Sequence, residues 1–224
     1  MIKRELYMNR IRPFIGGELI KVMTGIRRSG KSVMLELIKE ELAEAGVAPS
    51  QMISINFEDM RYSHLQTATA LHDEIIKRAE GIEGKAYLFF DEIQEVEGWE
   101  KCVNSLRVAL DCDIYITGSN AKLLSGELAT YIGGRYVEFV IYPFSFAEFL
   151  ELYHTIAPSD SIQQCFQKYL LAGGMPYLAN LRYEEEPSRQ YLTDLFNSVQ
   201  LKDIVKRNRS EERRVGKECL RLCR

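Results

Sequence analysis

The sequence predicts an α/β protein, a parallel sheet sandwiched by helices and followed by a small helical segment. Three observations carry that expectation. Short apolar, β-prone segments alternate with amphipathic ones between residues 18 and 142. The first of them runs directly into the glycine-containing stretch TGIRRSGKS (Thr24–Ser32), from which a helical pattern departs. After Pro143 the alternation stops and only helical periodicity remains. Strands separated by helices need crossover connections, which place parallel neighbours in one sheet with helices on both faces.

Each element has its own justification. Residues 18–25 (ELIKVMTG) are short, apolar and closed by glycine, the pattern of a buried strand. Residues 31–46 place Met34, Leu37, Ile38 and Leu42 on one helical face, and Gly46 supplies a stop. Residues 51–59 (QMISINFED) read as a strand and 68–80 as a helix. The run KAYLFFDE (85–92) is almost continuously apolar until two acids end it, as a central parallel strand requires. A helix over 99–110, a buried strand at the start of CDIYITGSN (112–120), a short helix over 121–130 and a strand over 135–142 complete the alternation. Beyond it, 145–154, 161–172 and 188–207 are helical, with a turn at 172–176. The last places Leu192, Leu195, Phe196, Val199 and Ile204 on one face. Phe144, Phe146 and Phe149 are expected in the core.

Composition narrows the function classes. A chain of 224 residues with 46% hydrophobic residues suits one well-buried domain and part of a second. The net charge of −3 gives no global basic footprint for nucleic acid. Five cysteines, an odd number with no Cys-x-x-Cys pair, argue against a disulfide framework and for free thiols in a reducing compartment. No apolar run has membrane-spanning length, and the N-terminus lacks the apolar core of a secretion signal, so a cytoplasmic location is expected. His64, His72 and His154 show no metal-ligand spacing.

The spacing Gly25-x4-Gly30-Lys31-Ser32 is that of a phosphate cradle, the Walker A pattern of a P-loop NTPase. Successive amides of Gly25, Ile26, Arg27, Arg28, Ser29, Gly30, Lys31 and Ser32 form an anion-binding concavity. The helix N-terminus adds partial positive charge. Glycines let the backbone turn and approach the phosphates, Lys31 reaches the β- and γ-phosphates, and the Ser32 hydroxyl binds Mg2+. Arg27 and Arg28 occupy unconstrained positions and either add positive potential or reach a neighbouring subunit.

The acids closing the third strand supply a Walker B element. Asp91 is expected to hold Mg2+ through its water shell, and Glu92 to polarise a water for attack on the γ-phosphate. That division favours hydrolysis over transfer to a small acceptor. In the next turn, Asn120 or Ser119 either hydrogen-bonds the γ-phosphate or the attacking water, or caps the following helix, and the two roles are compatible. Glu58 and Asp59 face the same crevice side and read as a solvated turn. Arg135, in GGRY, reads either as an arginine finger offered to a neighbouring subunit's γ-phosphate or as a surface arginine paired with a local acid.

With these residues in place, the chain resembles the prokaryotic predicted ATPases of the AAA+ superfamily whose ATPase core is followed by a poorly understood C-terminal half. The matching stretches are MIKRELYMNRIRPFI, KVMTGIRRSGKSVML, INFED, LFFDEIQEVEGWE, ITGSNAKLLSGELATYIGGRYVEF, YPFSFAEF and YLLAGGMPYL, which span nearly all of residues 1–208. The resemblance implies an ASCE/AAA+-type P-loop core, ATP and Mg2+ as ligands, hydrolysis, and a sensor role for Asn120. It also implies a winged-helix-like and nuclease-like continuation beyond about Asn208, through which alone DNA would be a partner. The expected division is an ATPase core over 1–142, a helical lid or start of the C-terminal region over 143–208, and a non-native tail over 209–224. That tail contains RSEERRVGKEC, which matches what one reading frame of a sequencing adapter encodes. A homo-oligomer is expected if Arg135 acts in trans. The alternative function is a regulatory nucleotide switch with little turnover. A GTPase is disfavoured because SNAKLL is not an Asn-Lys-x-Asp guanine reader, and a small-molecule kinase is disfavoured by Glu92.

Overall fold

The computed structural model describes residues 2–118 and 132–199. The chain divides into two compact units, Met1–Glu148 and Phe149–Arg224.

The first unit is built on a five-stranded sheet. Its strands are β1 (Ile20–Thr24), β2 (Met52–Asn56), β3 (Ala86–Asp91), β4 (Cys112–Thr117) and β5 (Tyr136–Val140). Every pairing is parallel and the order is β2-β3-β4-β1-β5. The chain leaves β1, builds outward at β2, and returns through β3 and β4 to lie beside β1. As a result the C-terminal end of β4 lies between those of β1 and β3.

Strand alternation sorts the core into two layers. Ile20 and Val22, Leu88 and Phe90, and Ile114 and Ile116 face one side with Leu71 and Ile75 of α3 (Ala68–Ala79) and Val103 and Leu106 of α4 (Trp99–Ala109). Met23, Phe89, Tyr115 and Phe139 face the other side, with Tyr7, Met8 and Ile11 of α1 (Glu5–Ile11) and the apolar face of α2 (Lys31–Glu44). Met34, Leu37, Ile38 and Leu42 are all buried on that face, as their spacing predicts. Phe89 and Tyr115 stack at 4.8 Å between ring centroids. Helix α1 is an element that the apolar periodicity does not announce.

The division between the units falls inside α5 (Phe146–Ile156), which is followed by α6 (Ile162–Ala172) and α7 (Glu185–Val199). In the second unit Phe149 packs against Tyr153, Tyr169 and Tyr183 with centroids 5.1, 5.2 and 5.0 Å away. Ser161 and Gln164 form a capping box at the start of α6. Phe144 and Phe149 are buried as expected, but Phe146 is only half-buried, because it opens α5 before the helix turns its apolar face inward. Helix α7 begins at Glu185 rather than at Ser188. Pro187 is tolerated there because first-turn amides have no intrahelical acceptor. The expected helix over 121–130, Asn120, Ser119 and Ile204 lie outside the described residues.

Candidate functional site

Strand β1 is buried at every position and delivers Thr24 into the loop at the C-terminal edge of the sheet. Gly25 is required there by space as well as by backbone angle. Its φ is +142°, and a Cβ would lie 2.2 Å from the Ile141 carbonyl oxygen. The Ile141 amide in turn donates to the Thr24 carbonyl at 2.7 Å, tying the loop to the segment after β5. The loop closes on itself through Ser29 N–H to the Ile26 carbonyl at 3.2 Å. Ile26, Arg27 and Arg28 are exposed. Arg27 lies 3.9 Å from Glu58, so Glu58 flanks the loop. Asp59 instead caps the short turn after β2 by accepting from the Arg61 amide at 2.9 Å.

Gly30 is the N-cap of α2, with φ +101° and no side chain to satisfy the first-turn amides. A helix N-terminus left open in this way suits an anion. The buried Ser29 Oγ likewise has no hydrogen-bond partner in the protein. Lys31 is buried, and its Nζ makes only long contacts with the carbonyls of Gly25 (3.4 Å) and Ile26 (3.3 Å). Ser32, one residue further on, is exposed.

The two acids arrive at the end of β3. Asp91 is buried and accepts from Thr117 Oγ1 of β4 and, at 3.2 Å, from Asn56 Nδ2 of β2. Glu92 has a left-handed backbone (φ +55°), and its amide donates to the same Thr117 Oγ1 at 3.0 Å. Its carboxylate accepts from Gln94 and lies 3.7 Å from Lys31 Nζ.

Lys31, Asp91 and Glu92 are therefore gathered beside the loop. Thr117 and Asn56 belong with them and were missed from the sequence. The available signal was their position as the last residue of β4 and of β2, in register with the end of β3. Arg135 is not brought to its own chain's loop. Its carbonyl accepts from the Ile20 amide at the start of β1, and its guanidinium donates to Asn104 of α4 at 3.0 Å. About 13 Å of strand separates that end of the sheet from the loop.

A family model described as "AAA domain" matches residues 18–150. The chain belongs to the AAA domain family. The fold of this AAA domain, a five-stranded parallel sheet with flanking helices, is of the P-loop NTPase, AAA+ type. It resembles Thermotoga maritima RuvB (P216G mutant), with a TM-score of 0.53, 14% identity, and coverage of 89% of this chain and 68% of that one. At this identity the likeness is one of fold. An uncharacterized protein of Haemophilus influenzae is 41% identical over 208 residues, covering 92% of this chain and 51% of the relative. The uncharacterized protein MJ1544 of Methanocaldococcus jannaschii is 33% identical over 198 residues, covering 84% and 42%. The chain thus spans about half the length of the curated relatives it matches, or somewhat less. No described helix is long and apolar enough to cross a membrane.

Proposed function

We propose that the AAA domain binds ATP with Mg2+ and hydrolyses it, turnover driving a conformational change. The observation that carries this reading is the meeting of Lys31 and Glu92 beside a loop whose helix end is open, with Asp91 fixed at the end of β3, across β4 from the loop. The loop amides and the Lys31 ammonium bind the phosphates. Among the described residues no group of three or more His, Cys, Asp or Glu could hold a metal ion unaided. Mg2+ is commonly bound through one or two protein oxygens and the substrate's phosphates. Ser32 would supply one such oxygen, and Asp91 would hold the ion through its water shell. When bound, the ion neutralises charge on the phosphates. Glu92 takes the proton of the attacking water. Asn120 senses the γ-phosphate, and Arg135 serves a neighbouring copy in a homo-oligomer. In domain terms, residues 1–142 form the ATPase core and 143–208 the lid or start of a C-terminal region.

A regulatory switch with little turnover is the second reading. The hydrogen bond that Gln94 donates to the Glu92 carboxylate favours it, because it engages an oxygen that a general base must offer to water.

Calorimetry with MgATP and a phosphate-release assay test both. The wild-type chain binds and turns over, and Lys31→Ala loses both properties. Glu92→Gln keeps binding and loses turnover by roughly 10²- to 10⁴-fold. Wild-type levels of turnover in Glu92→Gln would refute the base assignment, and no MgATP uptake by the wild type would refute the whole reading. Binding with turnover that rises only on adding cell extract would favour the switch.

A further inference from the structure

Arg4 is a charged residue buried to 2% exposure, 27 residues before Lys31, in a segment the phosphate-loop pattern does not include. Its backbone is left-handed, with φ +47°. Strain of that kind persists only where the surroundings fix it, and it points to a specific demand on the side chain. The guanidinium donates through Nε to Glu148 Oε1 at 2.8 Å and through Nη2 to Glu148 Oε2 at 3.4 Å. Nη2 also donates to the Tyr142 carbonyl at 2.8 Å. The ring of Tyr7, 4.6 Å from Cζ, packs against it. Glu148 is fixed in turn, accepting from the amide and hydroxyl of Ser145 at 2.8 and 3.0 Å. These contacts compensate and anchor the charge.

The remaining donor does something else. Nη1 donates to the Ser29 carbonyl at 3.0 Å, inside the loop. No peptide bond in the described chain is cis. In a planar trans peptide the N–H lies opposite the C=O, so turning the Ser29 carbonyl onto Arg4 turns the Gly30 N–H away from it. A Cβ on Gly30 would lie 3.4 Å from the same Nη1, so the guanidinium also backs the loop sterically. We propose that Arg4 is a positioning residue for the phosphate-binding loop, holding the Ser29–Gly30 peptide with its amide presented to the diphosphate moiety of the nucleotide. Arg4 touches no reacting atom. The proposal rests on the nucleotide-binding reading given above.

Arg4→Lys is the informative variant. Lysine keeps a positive charge for Glu148 but lacks the planar fork that serves Glu148, Tyr142 and Ser29 together. The expected result is weaker binding of both MgATP and MgADP, by about tenfold each, the scale of one charged hydrogen bond. The KM for ATP rises by a similar factor and kcat stays within about twofold, because Glu92 and Asp91 are untouched. The melting temperature stays near that of wild type. Arg4→Met/Glu148→Met removes both charges at similar bulk and is expected to show the same affinity loss while folded. A folded Arg4→Lys protein with wild-type affinity overturns the proposal. So does a fall in kcat at unchanged KM, and so does failure of both variants to fold, which would make the pair a folding element only. If the wild-type chain binds no MgATP, it is the functional reading that fails, and the variants are not needed to see it.

Discussion

Thr117 joins the two acids through one oxygen. Its hydroxyl donates to Asp91 and accepts from the Glu92 amide, so the carboxylate assigned to the metal and the strained backbone of the proposed base share one anchor. Thr117 is fully buried, so water cannot replace the hydroxyl. Thr117→Val, nearly the same shape, leaves the Glu92 N–H unsatisfied, and it is expected to lower unfolding free energy by about 1–3 kcal/mol. ATP turnover is expected to fall more than ATP affinity, because the loop is untouched. Thr117→Ser keeps the hydroxyl and is expected to recover most of both. Urea unfolding and phosphate release on the two variants check this, and a valine variant as active as the serine one would remove Thr117 from the site. The limits of sequence reading are visible here. Gly25, Lys31, Asp91 and Glu92 were legible because local spacing and strand ends encode them. Thr117 and Asn56 were not, because their meaning depends on which strands lie side by side. Arg4 was hidden more deeply, since its partner Glu148 is 144 positions away.

At the scale of elements, the apolar runs announced all five strands, but not the charges placed inside them. Lys21 of β1 and Asp113 of β4 form an ion pair with both side chains fully buried. Lys21 also donates to the Gly17 carbonyl, and Asp113 accepts from Tyr115 Oη and the Gly16 amide. Burial pulls the Lys21 ammonium below the ordinary lysine range more strongly than Asp113 lifts it. Desolvation outweighing attraction is the usual balance of such pairs. Removing one partner is therefore expected to lower stability by about 3–5 kcal/mol, whereas Lys21→Met/Asp113→Asn is expected to recover most of it. Chemical unfolding of the single and double variants checks this, and additive losses would contradict it. A second ion pair, Arg4 with Glu148, joins α1's N-terminal edge to the start of α5 and has a pH signature. Burial raises the Glu148 carboxyl, but hydrogen bonds from Arg4 and Ser145 outweigh it, and the folded-state pKa lies below the ordinary glutamate value. A carboxyl lowered on folding stabilises above its unfolded pKa, and that contribution is lost as pH falls through the folded pKa. Melting temperature should therefore drop more steeply below about pH 4.5 in wild type than in Glu148→Gln. Parallel curves would show that the pair carries no proton linkage.

At the scale of the whole molecule, Arg135 sets a geometric constraint. The parallel sheet puts every strand's C-terminal end on the loop side, and Arg135 precedes β5 at the other end, where its backbone joins the start of β1. Its guanidinium is therefore of no use to its own loop, and an arginine-finger role requires a second copy of the chain. In such an assembly a site is completed by two chains, one giving the loop and acids and the other giving Arg135. Lys31→Ala spoils the loop but keeps Arg135, and Arg135→Ala keeps the loop but spoils the finger. Each variant alone is expected to turn over slowly, Arg135→Ala by about 10³-fold or more below wild type while still binding ATP. Mixed in equal amounts, they should regain a fraction of wild-type turnover, because an Arg135→Ala loop can meet a Lys31→Ala finger. The regain should grow with protein concentration, alongside a larger sedimenting species in the presence of ATP. If Arg135→Ala alone turns over like wild type, the arginine is no more than the partner of Asn104 seen on α4, and the case for assembly loses its residue.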